Sequence, residues 1–434
     1  MKDRAAAILT EARASWSLLG HPYRKSRKYF YFQFQRSGWC RRCCSVIYIG
    51  FQIEKVNEYY GEAEAERRLK YAAGELRKGA GNGAVVARVS GGGFGILRPW
   101  RGETELKAWM EHMLERLNQY DRICQRDAST RFYGGVYRTS KERRDRSETV
   151  LYCARQGYHH AIRENVGYMH FQTTMLKQDR ERRELKKRFF KAIEDREFKV
   201  VLQPVVDGKT QEIVGAEALS RWEHPLRGRL YPSSYIGVIE SERNVADLDF
   251  YMFEEVCRLL EQWDRRGRNR SISCNITRIT IGQPDFTQRI REIADRYSFD
   301  HMNLVIEITE DAMEIDREHA ARNISKCKEY GFRIALDDVG SGNTSFLDFK
   351  NYPIDIVKID RSVLESAKKE QGAALLKGMI SLAHSLHMEV LCEGVETRQQ
   401  MEFIRQLGSD YMQGYYFYQA VSVEEANRLL DEGC

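Results

Sequence analysis

The feature that most constrains the fold is a repeated alternation in the second half of the chain. From Lys199 onward, short runs of β-branched residues alternate with longer amphipathic stretches. Eight short runs occur, namely VVLQPVV (200–206), VGAEALSRW (214–222), SISCNIT (271–277), NLVIEIT (303–309), FRIALDDV (332–339), IDIVKID (354–360), EVLCEGV (389–395) and YMQGYYF (411–417). Eight strands separated by helices within about 240 residues predict an α/β fold of the (β/α)8, or TIM-like, barrel type.

One connection departs from this plan. Only the segment DGKTQEI (207–213) separates the first two predicted strands. A crossover between parallel strands needs about a dozen residues or more. The first strand pair is therefore predicted to be an antiparallel hairpin.

Polar residues cluster where the predicted strands end, which is where the active sites of such barrels lie. They are Glu217, Arg221, Asn275, Glu307, Glu310, Asp337, Asp338, Lys358, Glu393, Glu396 and Gln413. Any single carboxylate among them is more easily explained as a helix cap or a salt bridge. Several strands that deliver carboxylates to one rim are difficult to explain without cations, because burying many like charges is costly.

Oxygen ligands without Cys or His favour Mg²⁺ or Mn²⁺ over zinc or copper. The six residues that could ligate a metal are Glu217, Asn275, Glu307, Asp337, Asp338 and Glu393, which is enough for two ions per active site. Paired ions of this kind commonly catalyse in-line phosphoryl displacement. Lys358 would then position the attacking water or neutralise the transition state, and Arg221 would hold a phosphate.

The motifs of residues 199–434 resemble those of EAL-type cyclic di-GMP phosphodiesterase domains. They read QPVVD (203–207), EALSRWEHP (217–225), CNIT (274–277), IEITE (306–310), DDVGSGNTS (337–345), VKID (357–360), CEGVET (392–397) and MQGYYF (412–417). The resemblance implies hydrolysis of cyclic di-GMP to linear pGpG.

The resemblance also implies roles for single residues. Glu217, Asn275, Glu307 and Asp337 would ligate one metal ion, and Asp337, Asp338 and Glu393 the second. Lys358, Glu393 and Glu310 would serve catalysis, the last by steadying the loop 339–345, while Arg221, Leu219, Gln203 and Gln413 would serve the substrate and Glu396 would be a supporting residue. The sequence departs from the family pattern at Gly237, at Val339 and in YQAVS (418–422), which lacks the usual Pro, and none of these departures removes a ligand. Gly237 and Val339 are expected to loosen loops that close on the substrate or build the dimer face.

Residues 17–172 resemble an α+β GGDEF domain, the fold of diguanylate cyclases. The resemblance rests on SLLGHPYR (17–24), VNEYYG (56–61), VARVSGGGFGIL (86–97) and VLYCARQG (150–157). Both acidic positions of the signature turn are glycine, since the turn reads Ser90, Gly91, Gly92, Gly93. The strand expected to supply a metal-binding aspartate carries Ile49 and Phe51 instead. Without these carboxylates we predict a degenerate domain with no cyclase activity.

The glycine-rich turn leaves two interpretations open. Its backbone amides could cradle a phosphate of GTP, which would make the domain an allosteric regulator of the barrel. A plain tight β-turn is the simpler interpretation. The domain would then be a dimerisation or partner-binding module.

Charge divides the chain near residue 173. Residues 1–172 carry 31 basic and 18 acidic residues, a net charge of +13, whereas 173–434 carry 38 and 45, a net charge of −7. The stretch 173–198 lacks Gly and Pro and reads as a connecting helix. The predicted domains are 1–172, 173–198 and 199–434. No nucleic-acid motif accompanies the basic half, so we expect a solvated surface rather than a nucleic-acid partner.

We expect a soluble protein of the cytoplasm. The sequence contains no run of about 18 uncharged apolar residues, so no membrane segment is predicted. The ten cysteines form no disulfide framework, which fits a reducing compartment. A homodimer is expected from the resemblance. Two functions stay open: an enzyme that cuts cyclic di-GMP, and a receptor or signalling scaffold that binds it intact. The complete set of ligand positions favours the enzyme.

Overall fold

The computed structural model describes residues 23–36, 44–124, 130–139, 146–240, 244–309, 317–340 and 352–432. The chain divides into two compact units, Met1–Glu181 and Arg182–Cys434. Within the described ranges, no helix combines the length and the apolar character needed to cross a membrane.

The first unit is a five-stranded sheet with helices. Its elements in chain order are α1 (Tyr23–Arg36), β1 (Cys44–Gly50), α2 (Ile53–Tyr60), α3 (Glu62–Gly79), β2 (Val85–Arg88), β3 (Gly93–Pro99), α4 (Glu103–Ile123), β4 (Tyr133–Arg138), α5 (Ser147–Arg163) and β5 (Tyr168–His170). The strand order is β2-β3-β1-β4-β5, antiparallel except for the pair β4–β5.

The central strand β1 explains why both faces of this sheet are covered. All seven of its residues are buried. Since alternate side chains of a strand point to opposite faces, Ile47 and Ile49 join one apolar cluster. Val46 and Tyr48 join a second cluster on the other face. An uninterrupted apolar run is the pattern expected for a strand buried on both sides.

The second unit begins within a long helix and continues as a barrel. Its elements are α6 (Thr173–Glu194), β6 (Phe198–Asp207), β7 (Ile213–His224), β8 (Gly228–Leu230), α7 (Pro232–Glu240), α8 (Val245–Asp264), β9 (Ser271–Asn275), α9 (Arg278–Ile281), α10 (Phe286–Ala294), a 3₁₀ turn (His301–Asn303), β10 (Leu304–Thr309), α11 (Arg317–Glu329), β11 (Arg333–Val339), β12 (Ile356–Ile359), α12 (Arg361–Ser366), α13 (Glu370–Ser385), β13 (Glu389–Cys392), α14 (Arg398–Leu407), β14 (Tyr411–Met412), β15 (Val421–Ser422) and α15 (Val423–Glu432).

Eight strands close the barrel in the order β6-β7-β9-β10-β11-β12-β13-β14, and β14 returns to β6. Strands β7 and β9–β14 run parallel, whereas β6 is antiparallel to both of its barrel neighbours. The predicted barrel and its antiparallel first pair are confirmed. Each of the eight predicted runs overlaps one barrel strand.

Some predicted boundaries are wrong. The run 411–417 forms a strand only at Tyr411–Met412 and then turns. A Cβ at Gly414 would lie 2.2 Å from the Val395 carbonyl oxygen, so the chain passes its neighbour too closely to remain a regular strand. The connecting helix ends at Glu194, before the predicted residue 198, and Phe198 already belongs to β6.

Two of the departures from the family pattern do not lie in loops, contrary to expectation. Gly237 is inside the helix α7 (Pro232–Glu240), where its carbonyl accepts a hydrogen bond from Arg182 Nη2 at 2.8 Å. Val339 is the last residue of β11 and is 1% exposed in the barrel core. Val339 therefore packs as a core residue.

Candidate functional site

The predicted ligands converge because parallel strands end at the same mouth of the barrel. Asn275, the last residue of β9, pairs directly with Glu307 of β10. Asp337 of β11 pairs in turn with Thr309 of β10. The register of neighbouring strands therefore brings these polar side chains together near the carboxyl ends of β9, β10 and β11.

Lys358 of β12 lies at the centre of this group. Its Nζ is 2.8 Å from Glu393 Oε1, 3.0 Å from Glu307 Oε1 and 3.1 Å from Asp337 Oδ1. A fourth carboxylate, Glu217, lies 3.5 Å away through Oε2. Lys358 is 1% exposed, so its charge is compensated by these carboxylates rather than by bulk water.

Two amide side chains orient Glu217 of β7. Asn275 Nδ2 donates to Glu217 Oε1 at 2.9 Å, and Gln413 Nε2 donates to Oε2 at 2.9 Å. Glu217 and Asn275 belong to β7 and β9, and Gln413 directly follows β14. Gln413 thus contacts the carboxylate group directly, at a position that the family motif assigns to the substrate side.

Burial and the crowding of like charges set the pKa values. Burial raises the pKa of Glu307 well above its ordinary value, and the nearby Glu217 carboxylate raises it further. Burial raises the pKa of Glu393 to about 7 although Lys358 opposes the rise. Burial also disfavours ionisation of Glu217, but Lys358 and the two amide donors outweigh it and lower that pKa. Burial alone would lower the pKa of Lys358, yet the surrounding carboxylates hold it well above its ordinary value.

A second group lies beside the first. Asp337, Asp338 and Glu393 each offer a carboxylate oxygen, and these atoms lie within 4.8 Å of one another. Asp338 has a left-handed backbone with φ of 58°, which is uncommon for a residue other than glycine and often marks functional sites. Its amide donates to Asp337 Oδ1 at 3.0 Å, so the pair is held together.

The donor set fits divalent cations. If all ionise, the five carboxylates of Glu217, Glu307, Asp337, Asp338 and Glu393 carry five negative charges, and Lys358 compensates one. Two divalent cations would compensate the remaining four. Glu307 Oε2 and Gln413 Oε1 are also buried without a hydrogen-bond partner among the described residues. Oxygens of this kind are the ligands that Mg²⁺ and Mn²⁺ prefer.

A cavity of about 230 Å³ opens beside the cluster. Its lining residues are Gln203, Glu217, Arg361, Glu393, Gly394, Glu396, Gln413, Gly414 and Tyr415. Five predicted site residues therefore line the same space. Gln203 and Glu217 lie on β6 and β7, whereas Glu393, Glu396 and Gln413 follow β13 and β14. The cavity places them where a ligand could contact them together.

Arg361 is a site residue that the sequence reasoning missed. It follows VKID directly, as the first residue of α12, which Asp360 caps by accepting a hydrogen bond from the Ser362 amide at 2.8 Å. Arg361 Nη1 lies 2.6 Å from Glu396 Oε1. A Cβ at Gly394 would lie 2.5 Å from Arg361 Cβ, so glycine makes room for the arginine. Its position after a barrel strand was the available signal.

The remaining predicted residues lie further along β7 or outside the described ranges. Leu219 and Arg221 follow Glu217 at intervals of two, which sets all three on one face of the strand. The Arg221 guanidinium carbon is 5.0 Å from the centre of the Tyr231 ring, a cation–π distance. Glu310 lies outside the described residues, as do 341–345 of the loop that it is predicted to steady.

The corresponding region of the first unit is apolar. Ile49 and Phe51, which occupy the expected acidic positions, are 0% and 3% exposed and belong to the apolar core. The turn between β2 and β3 is packed against the neighbouring strand β1, because a Cβ at Gly93 would lie 1.9 Å from Tyr48 Oη. The amides of Val89 and Ser90 both donate to the Gly93 carbonyl, at 2.9 and 3.2 Å.

The side chain of Arg88 also binds this turn. Its Nη2 donates to the Gly91 carbonyl at 2.7 Å, and its Nε lies 3.3 Å from the Ser90 carbonyl. The hydroxyls of Tyr48 and Ser90 are 2.6 Å apart. Side chains of this domain therefore stabilise the predicted glycine-rich turn from both sides.

Comparison with protein families assigns both units. Residues 186–420 match the EAL domain family, and residues 27–165 match the family described as diguanylate cyclase, GGDEF domain. The first match covers more than half of the chain, so the chain belongs to the EAL domain family and carries a GGDEF domain before it. The family resemblance, the order of the domains and the fold class are thereby confirmed.

Two similar curated proteins come from Pseudomonas aeruginosa. The chain is 25% identical over 375 residues to the bifunctional diguanylate cyclase/cyclic di-GMP phosphodiesterase MucR of Pseudomonas aeruginosa, covering 86% of this chain and 55% of that protein. It is 24% identical over 370 residues to the cyclic di-GMP phosphodiesterase NbdA of the same organism, covering 84% and 47%. The chain thus spans about half the length of these relatives.

Solved structures share the barrel. The PaMucR phosphodiesterase in its c-di-GMP complex is 27% identical with a TM-score of 0.54, covering 56% of this chain and 99% of that one. An EAL domain protein of Listeria monocytogenes is 28% identical with a TM-score of 0.51, covering 57% and 98%. The S helix-GGDEF-EAL portion of Vibrio cholerae LapD, at 20% identity and a TM-score of 0.58, covers 89% and 93% and shows the fold.

Proposed function

We propose that this chain is a metal-dependent phosphodiesterase that hydrolyses cyclic di-GMP to linear pGpG, and that its GGDEF domain is regulatory. The observation that carries the proposal is the cluster of four carboxylates in contact with Lys358 at the barrel mouth, with Asp338 beside them and the cavity lined by Gln203 and Glu396 next to the cluster. Two relatives named as cyclic di-GMP phosphodiesterases, and the c-di-GMP complex of PaMucR, support the choice of substrate.

The metal ligands are proposed as two overlapping sets. Glu217, Asn275, Glu307 and Asp337 would hold one divalent cation, and Asp337, Asp338 and Glu393 would hold the second. Bound Mg²⁺ or Mn²⁺ would neutralise the carboxylates, lower the pKa of a bound water and stabilise charge on the phosphate. The proximity of the Asp337, Asp338 and Glu393 oxygens supports the second set.

The protein's own cations would complete the site. The Lys358 ammonium is buried among the ligands, where it can donate to the attacking water or to a phosphate oxygen. Arg221, which stacks on Tyr231, would hold a phosphate as a charge-assisted donor. Gln203 and Gln413 present amides to the cavity and would orient the substrate.

The GGDEF domain is proposed to lack cyclase activity. Ile49 and Phe51 fill the acidic positions with apolar side chains, and Gly92 and Gly93 replace the acidic side chains of the turn. Regulation by GTP stays a proposal for the Ser90–Gly93 turn, and a homodimer stays a proposal for the whole chain. Sedimentation of the purified protein would measure whether it forms a homodimer.

The deciding experiment incubates the purified chain with cyclic di-GMP and Mg²⁺ or Mn²⁺, with and without GTP, and separates the nucleotides by chromatography. We expect pGpG to form, and faster formation with GTP would assign the GGDEF domain as regulator. Cyclic di-GMP that is bound but stays intact under every metal condition would replace the enzyme with the receptor alternative.

Variants define the metal requirement. Glu217→Ala should abolish turnover because one ligand is lost, and high Mn²⁺ should restore at most part of it. The matched control is Glu223→Ala on the same strand, whose side chain is 36% exposed and pairs with Arg229. Full activity of Glu217→Ala at low Mg²⁺ would contradict the assignment of Glu217 as a ligand.

A further inference from the structure

A second cavity lies inside the barrel, beneath the carboxylate cluster. It has a volume of about 190 Å³. Its walls include the small side chains of Ala216, Ser271, Ser273 and Ala335. Large side chains normally fill the centre of an eight-stranded barrel. Small residues at these inward positions leave space in the barrel interior.

The upper end of this cavity reaches the carboxylate cluster of the candidate site. Glu307 and Lys358 both line it. Glu307 is 2% exposed, and its Oε2 has no hydrogen-bond partner among the described residues. Buried polar atoms normally have a partner in the protein or in ordered water. The hydroxyls of Ser271 and Ser273 add further polar partners along the same wall.

The lower end opens at the N-terminal mouth of the barrel. The cavity of about 230 Å³ beside the cluster lies at the opposite mouth. Asn269 and Met302 line the lower end and are exposed to solvent. Asn303 Nδ2 donates to Asn269 Oδ1 at 2.7 Å, which gives the opening a polar edge. The cavity therefore runs from bulk solvent to the buried cluster.

We propose that this cavity is a water conduit that supplies the attacking water from the N-terminal mouth. The inference rests on the proposed phosphodiesterase function. Each turnover consumes one water: its oxygen forms the new P–O bond, the P–O3′ bond breaks, and one of its protons ends on the departing 3′ oxygen. A substrate bound in the cavity beside the cluster would cover the carboxyl-terminal mouth, whereas the cavity below would still connect the cluster to solvent.

The size and lining of the cavity favour water over an apolar occupant. At about 30 Å³ for each molecule, its volume holds roughly six waters. An apolar band of Val205, Val305, Ala335, Ile356 and Leu391 forms the middle of the barrel interior. A cavity lined only by such residues stays dry and binds small apolar molecules. Here hydroxyls and charged groups line the same space, as a wet cavity requires.

The test narrows the conduit at two independent positions. Ala335→Leu and Ser271→Leu add bulk to its wall, whereas Ala374→Leu and Ser381→Leu make the same changes on the exposed face of α13. The rate of pGpG formation is measured against cyclic di-GMP concentration. We expect the two narrowed variants to lose about tenfold or more in kcat with KM changed less than about twofold, and the controls to match the wild type.

The outcomes separate the two proposals. If the wild type forms no pGpG, the proposed function fails. If it does and a folded narrowed variant keeps its kcat, the conduit fails alone. A high-resolution crystal structure gives a second measurement that needs no variant: a chain of waters from Ser271 to Glu307 supports the conduit. An apolar molecule or empty density along that path overturns it.

Discussion

The two domains place opposite chemistry at similar positions, in or directly after buried strands. In the GGDEF domain, Ile49 and Phe51 are 0% and 3% exposed. In the EAL domain, Glu307 and Lys358 are 2% and 1% exposed. Burial is therefore the same in both places, and only the chemistry of the side chains differs.

The comparison shows what a buried charge requires. Apolar side chains at a strand end need no partner, and their burial stabilises the fold. A buried carboxylate persists only where other charges compensate it. Lys358 compensates only part of the charge of the EAL cluster, and this imbalance is the reason to infer cations there and none in the apolar counterpart.

Removing one charge from the EAL cluster should have the largest effect. Glu307→Gln keeps the shape of the side chain but removes one negative charge, and kcat for pGpG formation should fall by about 10³-fold. Glu223→Gln makes the same change at an exposed site and should leave kcat unchanged. A Glu307→Gln variant with near wild-type kcat would mean that Glu307 binds no catalytic cation.

The apolar side is tested by adding a charge. Ile49→Asp buries a carboxylate without a compensating partner, which should lower the free energy of unfolding by about 3–5 kcal/mol, measured by urea denaturation. Val166→Asp places the same charge at a side chain that is 41% exposed and should change stability by less than about 0.5 kcal/mol. A stable Ile49→Asp protein that binds Mg²⁺ would show that the site can still accept metal.

Lys358 links the charge balance to catalysis. Lys358→Met should lower kcat by about 10²-fold with little change in KM, because the ammonium acts on the reacting groups. Without metal the variant should also unfold at lower temperature, and Mg²⁺ should stabilise it more than it stabilises the wild type.

The control for this variant is Lys328→Met. Lys328 Nζ pairs with the single carboxylate of Asp355 at 2.6 Å and is 30% exposed. This change should affect neither kcat nor the response to Mg²⁺. Equal losses in kcat and in substrate affinity for Lys358→Met would assign Lys358 to phosphate binding.

The smallest expected effect concerns the glycine-rich turn. Gly93→Ala places a Cβ 1.9 Å from Tyr48 Oη and should cost about 1–3 kcal/mol of stability. Gly91→Ala meets only Ile53 Cγ2, at an ordinary 3.5 Å, and should be close to neutral. The unfolding transition of the GGDEF domain measures both. Equal effects at the two positions would contradict the packing described for this turn.

The alternation of strands and helices was readable from sequence because it is local. The same holds for the antiparallel pair β6–β7, since a seven-residue connection excludes a crossover. The end of β14 was not readable: the aromatic residues after Met412 favour a strand, and only the close approach of Gly414 to Val395 ends it. That approach depends on tertiary structure.

Site residues divide in the same way. The carboxylates at strand ends could be identified as candidates, because each follows a recognisable strand. The central position of Lys358 and the pairing of Arg361 with Glu396 join distant segments, so the sequence does not reveal them. The inner cavity also escaped prediction, since it depends on the register that brings Ser271, Ser273 and Ala335 to one space.

We infer that the EAL cluster holds two divalent cations. The most direct measurement is the anomalous scattering of Mn²⁺ in crystals of the protein soaked with that metal. We predict two peaks about 3.5–4 Å apart, one of them among Asp337, Asp338 and Glu393. Crystals that show no Mn²⁺ at the barrel mouth, with Lys358 still in contact with all four carboxylates, would contradict the claim.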